Sequence, residues 1–347
     1  MINSYMNFIS QKLNLKLIIQ LSIVFFIGMI LARNHLIISS IGSGFESPYE
    51  NFYSEMINSE HGFFNNRACN ESYTLEERKK LRWVGQKIKN NIFEKSYDVF
   101  GPRGLAASFI TLHAFLIMLC YFFTKASIHK IAPRQNLSNE TEHLTLLLFL
   151  TLVLYIFNGH TSEFSFSIIE GACIAAAIYF SKLGRIILFI LVVCVSILNR
   201  ESGFLIMSLW FIFNPILIRH IAFFLLPITL FLSVNYDVIS CMTDTALYLG
   251  SEDFKINKSI NNNGDFISLL IGVMFNHGVF ILLMLTILQF ARKNHPLFNI
   301  IMRIFIVYLL YTIVFMIFTP ISHLSIKYII VPLVVISSII FLSKPKN

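Results

Sequence analysis

Residues 101–123 read Gly101-Pro-Arg-Gly-Leu-Ala-Ala-Ser-Phe-Ile-Thr-Leu-His-Ala-Phe-Leu-Ile-Met-Leu-Cys-Tyr-Phe-Phe123, and no Asp, Glu, Lys or Arg occurs from Gly104 to Phe123. An uncharged apolar run of about 20 residues matches the hydrocarbon thickness of a bilayer. The run therefore predicts a membrane-spanning helix. Immediately before it lies the one long polar segment near the start of the chain, residues 34–103, with Glu46, Glu50, Glu55, Glu60, Glu71, Glu76 and Glu77 set among aromatics. The basic run Arg78, Lys79, Lys80 and Arg82 follows. The rest of the chain reads as a scaffold that presents this segment on one side of a membrane.

Composition points the same way: 56% of the 347 residues are hydrophobic, 13% are charged and 35 are Phe, far from the soluble norm of roughly 25% charged. Further apolar runs are Leu15–Ala32, Leu144–Phe157, Phe164–Phe180, Ile186–Leu198, Phe204–Ile218, Ile221–Val234, Phe266–Phe290, Ile300–Phe318 and Tyr328–Leu342. The expected fold is an all-α integral membrane protein, a single polytopic domain over residues 1–347 with about ten transmembrane helices. The first run lacks a small-residue cleavage site and reads as a retained helix. The formal charge of +8 is spread in short clusters between apolar runs, a topological signal rather than a nucleic-acid-binding face.

Cytoplasmic loops hold excess Lys and Arg, so Lys12 and Lys16, then Lys125, Lys130 and Arg134, Lys182 and Arg185, Arg219, Arg292 and Lys293, and Lys344 and Lys346 mark inner segments. Both termini are expected in the cytoplasm, with the chain in the cell (inner) membrane. Residues 34–103 and 235–265 then form outer loops. Polar groups converge on that face: Glu46 and Glu50, Arg103, His160 and Glu163, Arg200 and Glu201, His323 and Lys327. Charges at span edges are costly and mark functional candidates. Arg200 and Glu201 also fit a plain hairpin turn reaching water, and His160 also fits a solvated loop.

Within the first outer loop, Thr74 with Glu77 three residues on is a capping box, and Leu81, Val84, Ile88 and Ile92 recur at helical spacing. This predicts an amphipathic surface helix, lying either on lipid or packed against the bundle. Cys69 and Cys241 both fall in outer segments and are the candidate disulfide pair, because that compartment is oxidising. No metal-ligand spacing, phosphate-cradling glycine loop or dinucleotide fingerprint is present, so no cofactor is expected. His113, Glu170, His277 and Arg303 lie inside spans and fit either an ion path or a pocket beneath the outer loop. Arg303 also fits snorkelling to the inner surface.

One span, a long acidic outer loop with a surface helix, the Gly101–Leu112 lead-in, and the run Ser196-Ile-Leu-Asn-Arg-Glu-Ser-Gly-Phe-Leu-Ile206 together resemble polytopic membrane glycosyltransferases of the C-type fold. The likeness is to bacterial members of the mannosyltransferase and lipid A aminosugar-transferase groups and covers roughly residues 10–220. It implies sugar transfer from a polyprenyl-phosphate donor to a cell-envelope glycan or lipid acceptor, with Glu46 or Glu50 as the catalytic base. Arg103, Arg200 and Lys327 would neutralise the departing phosphate, with His160, Glu163, Glu201 and His323 lining the site. The commoner pattern of the family has Asp, and an adjacent acidic pair, where this chain has Glu46 and Glu50; a divalent metal is a further requirement that these residues leave open. Two rival readings are a polysaccharide polymerase, which the acidic 235–265 loop disfavours, and a transporter or flippase subunit.

Overall fold

The computed structural model describes residues 15–40, 83–132, 139–157, 164–199, 201–214, 218–234, 282, 284–287, 289, 297–318 and 326–342. Among them all regular structure is helical and no strand occurs. The chain is all-α. In order come α1 (Leu15–Ser40), α2 (Trp83–Ile88), a π-helical stretch Lys89–Phe93, α3 (Glu94–Ile131), α4 (Asn139–Phe157), α5 (Phe164–Lys182) and α6 (Ile186–Asn199). A 3-10 helix Glu201–Leu209 leads into α7 (Trp210–Phe213), followed by α8 (Ile218–Val234), α9 (Phe298–Phe318) and α10 (Ile326–Leu342).

Most of the apolar runs coincide with one of these helices, with differences that have local causes. Helix α1 continues past Ala32 to Ser40 because no Gly or Pro interrupts the chain before Gly42. Helix α3 passes Phe123 and stops at Ile131, where Ala132 is extended (φ −94°, ψ 124°), as a residue preceding a proline prefers. The expected sixth span, Phe204–Ile218, is instead a 3-10 helix of 9 residues followed by a short α-turn that ends at Phe213. Of the run Phe266–Phe290, only residues 282, 284–287 and 289 are described, and they are helical. Two described helical segments, Leu15–Asn34 and Asn90–Ile131, are long and apolar enough to cross a membrane by length and composition.

Helices α5 and α10 form the centre. Every residue from Ile168 to Tyr179 and from Val331 to Ile340 is buried, which is what helices apolar on all sides require. Gly171, Ala172, Ala175, Ala176 and Ala177 keep α5 thin, so neighbouring backbones approach closely. Helix α3 packs on α5 and carries α1 on its outer side; α4 and α9 pack on α10, while α6 packs on α5 and α8 on α6.

Side-chain contacts also set the directions. The Phe123 ring lies 5.9 Å from Tyr179 and 5.8 Å from Phe180, so the C-terminal ends of α3 and α5 lie together. Glu142 in the first turn of α4 meets Lys16 of α1 at 2.9 Å and Lys125 of α3 at 3.8 Å. Asn214, just after α7, donates to the Ser181 carbonyl at 2.9 Å, and Arg303 of α9 donates to the Ile212 carbonyl at 3.0 Å. One end of the bundle therefore gathers Lys16, Lys125, Lys182, Arg185 and Arg303. The start of the buried part of α3, the end of α6 and the start of the 3-10 helix lie at the other.

Candidate functional site

At the second end, the segment before α3 folds over the bundle. Val84 and Ile88 are half-buried against the core, as their spacing predicts. Ile92 is turned outward and Phe93 is fully buried instead. The π-helical stretch explains the switch: its i→i+5 bonds insert one residue, which moves the inward position from 92 to 93. The segment therefore packs on protein along this face, touching α6 through α2.

Gly101 then breaks the helix at φ 65°, ψ −157°, a conformation essentially confined to glycine. Past the break, a Cβ at Gly104 would lie 2.4 Å from the Ser96 carbonyl oxygen, and the Ser96 hydroxyl donates to the Gly104 carbonyl at 2.8 Å. These two contacts hold the overlying segment against the head of α3. Arg103 is exposed at that head. Beneath it, the Phe93 ring lies 6.0 Å from Phe109, and Phe109 lies 3.8 Å from the imidazole of His113. His113 is fully buried, and its Nδ1 is 2.7 Å from the Phe109 carbonyl oxygen. A carbonyl only accepts, so Nδ1 carries a proton.

The Asn199–Gly203 turn lies at the same end. Asn199 is fully buried, and Gly203 folds back so tightly that a Cβ there would sit 2.4 Å from the Ser196 carbonyl carbon. Only glycine allows the 3-10 helix to start against the backbone of α6. At about 2.0 Å rise per residue, the 9-residue stretch covers about 18 Å. Glu170 on α5 is also fully buried.

The opposite end carries a polar cluster that sequence reading treated only as topology. Lys16, Gln20, Tyr121, Lys125, His129 and Glu142 converge there. Lys125 and the Tyr121 hydroxyl both donate to Gln20 Oε1, at 2.5 and 3.2 Å, and His129 Nε2 lies 3.7 Å from Glu142 Oε1. Burial opposes the charge of Glu142, but Lys16, Lys125 and His129 outweigh it and hold the carboxyl below its ordinary range. The signal was present in the sequence: Lys16 and Gln20 are four apart, as are Tyr121, Lys125 and His129, which puts each set on one helix face.

Arg303 is exposed near the cationic end of the bundle. Its guanidinium donates to the Phe211 and Ile212 carbonyls at 3.4 and 3.0 Å, capping the chain where α7 stops. Of the other expected site residues, Arg103 lies at the kink, while Glu201 begins the 3-10 helix and Lys327 falls in the first turn of α10. Glu46, Glu50, His160, Glu163, Arg200, His277 and His323 lie outside the described residues, as do Cys69, Cys241 and the capping box at Thr74. Among the described residues no group of three or more His, Cys, Asp or Glu side chains is arranged to hold a metal ion. No protein-family model, curated protein or solved structure matches the chain.

Proposed function

We propose that the chain is a polytopic membrane protein of about ten spans that transfers a sugar from a polyprenyl-phosphate donor to a cell-envelope acceptor. The membrane reading is supported by an inverted distribution of polarity. Leu15, Ile18, Ile19, Ile23, Phe26 and Ile30 are exposed along α1, whereas Gln20 is buried on the same helix. Ile187, Leu191 and Val195 are likewise exposed on α6, whereas Ser196 and Asn199 are buried. Water penalises such stripes, and lipid accepts them.

The observation that carries the transferase reading is Arg103, an exposed residue just past the Gly101 break, at the head of the buried part of α3 and at the end of the bundle opposite the cationic one. In the proposed reaction, Glu46 or Glu50 takes the proton of an acceptor hydroxyl. The acceptor oxygen forms a bond to the anomeric carbon, the bond from that carbon to the phosphate oxygen breaks, and the lipid phosphate leaves with the electron pair. Arg103 stabilises the charge growing on that phosphate.

The test is the mass profile of surface glycans and lipid-linked intermediates in cells lacking the gene, complemented with wild type, Glu46→Gln, Glu50→Gln or Arg103→Ala. Loss of a single sugar, restored by wild type and by only one carboxamide variant, identifies transferase and base together. Arg103→Ala is expected to reduce turnover by about 10²–10³-fold. Glycans of reduced chain length instead point to a polymerase, and an unchanged profile removes the transferase reading.

A further inference from the structure

The cluster at the cationic end contains a buried donor that has no acceptor, the side-chain amide of Gln20. Gln20 is 3% exposed and Lys125 is 7% exposed. An ammonium group has no acceptor, so Lys125 requires the oxygen of the Gln20 amide to face it. That orientation turns Gln20 Nε2 elsewhere, and this nitrogen has no hydrogen-bond partner. Lys125 spends one N–H on Gln20. Its distance of 3.8 Å to Glu142 Oε2 is too long for a hydrogen bond, and the same oxygen is 2.9 Å from Lys16. Lys125 is thus held by the Gln20 oxygen and faces Glu142 only at longer range, while the buried Nε2 of Gln20 has no hydrogen-bond partner.

Leaving a buried donor unpaired is destabilising, and a buried cation that is only partly neutralised is more so. A species that carries negative charge and several acceptor oxygens removes both penalties. We propose that Lys125, Gln20 and Lys16 form a binding site for a phosphate-type oxyanion at this end of the bundle. The anion has two possible sources, an anionic phospholipid headgroup and free phosphate. The site lies at the end opposite Arg103 and does not depend on the transferase reading.

The experiment uses the full chain purified in detergent and in nanodiscs. Thermal denaturation is followed against inorganic phosphate, with chloride at matched ionic strength, and in nanodiscs of phosphatidylcholine with or without phosphatidylglycerol. The proposal expects stabilisation by phosphate beyond that given by chloride, or stabilisation by phosphatidylglycerol. Stabilisation by phosphate in detergent assigns free phosphate, and stabilisation by phosphatidylglycerol alone assigns the headgroup. Gln20→Leu removes the unpaired amide and keeps the apolar stem, and it is expected to raise the half-saturating concentration about tenfold. Lys125→Met is expected to abolish the effect, whereas Lys182→Met, at the same end but stacked over Phe213, retains it. An equal response to chloride, no response to any anion, or an undiminished response in both Gln20→Leu and Lys125→Met overturns the proposal.

Discussion

Two glycines separate steric from torsional constraint at the level of single residues. At Gly203 the backbone of Ser196 occupies the place of a Cβ, and neither chain can yield without parting the 3-10 helix from α6. At Gly101 there is open space around a Cβ, and only the positive φ opposes substitution. Gly203→Ala is therefore expected to cost more than Gly101→Ala, which carries only the strain of about 1–3 kcal/mol for an unfavourable backbone region. Thermal denaturation of both variants in one detergent checks the order, and equal losses would contradict it. The special status of Gly101 was legible in the Gly-Pro pair. That of Gly203 was not, because it arises from a backbone brought close by the fold.

At the scale of elements, α1, α3 and α4 are tied at one end by Glu142. Because the folded-state pKa of this carboxyl is depressed, the tie contributes stability above the ordinary carboxylate value of about 4.3 and is lost as pH falls through the lower folded value. Wild type is expected to lose stability on acidification below about pH 4.5, and Glu142→Gln to show a flatter acid limb. At neutral pH the same substitution is expected to cost about 1 kcal/mol, since Glu142 is partly exposed. A denaturation series from neutral to acid pH reads both effects; an unchanged acid limb would show that the tie contributes nothing. The surface helix illustrates the limit of periodicity on this scale. Val84 and Ile88 follow the predicted face, but the π-helical insertion exchanges Ile92 for Phe93, and a rule built on 3.6 residues per turn has no place for an extra residue.

For the whole molecule, the parallel course of α3 and α5, whose C-terminal ends lie together, expects the turn after α5 and the Gly101 kink near the start of α3 to lie on opposite sides of a membrane. A cysteine introduced at Leu183 is expected to react with an impermeant thiol reagent only in inverted vesicles, and one introduced at Arg103 only in intact, outward-facing membranes. The background for both is a chain in which the native cysteines are replaced by serine or alanine. Labelling of both from the same side would refute the arrangement. Such an assay also bears on the wider expectation from cation distribution, because Lys125, Lys182 and Arg185 were assigned to one side by that rule alone and the packing gathers them at one end.

The sequence by itself determined the helical class, the positions of most helices and the alternation of their ends. Those features follow from uninterrupted apolar runs, proline and glycine punctuation and clustered cations, all of which act over a few residues. Tertiary structure alone decided which helices are central, that the expected sixth span is a 3-10 helix, that Arg303 caps α7, and that Lys16, Gln20, Lys125 and Glu142 meet. Each of these depends on groups far apart in the chain: Gln20 and Lys125 come together only because α1 lies along α3. Local periodicity places a residue on a face, but the partner of that face is set by the packing of the whole bundle.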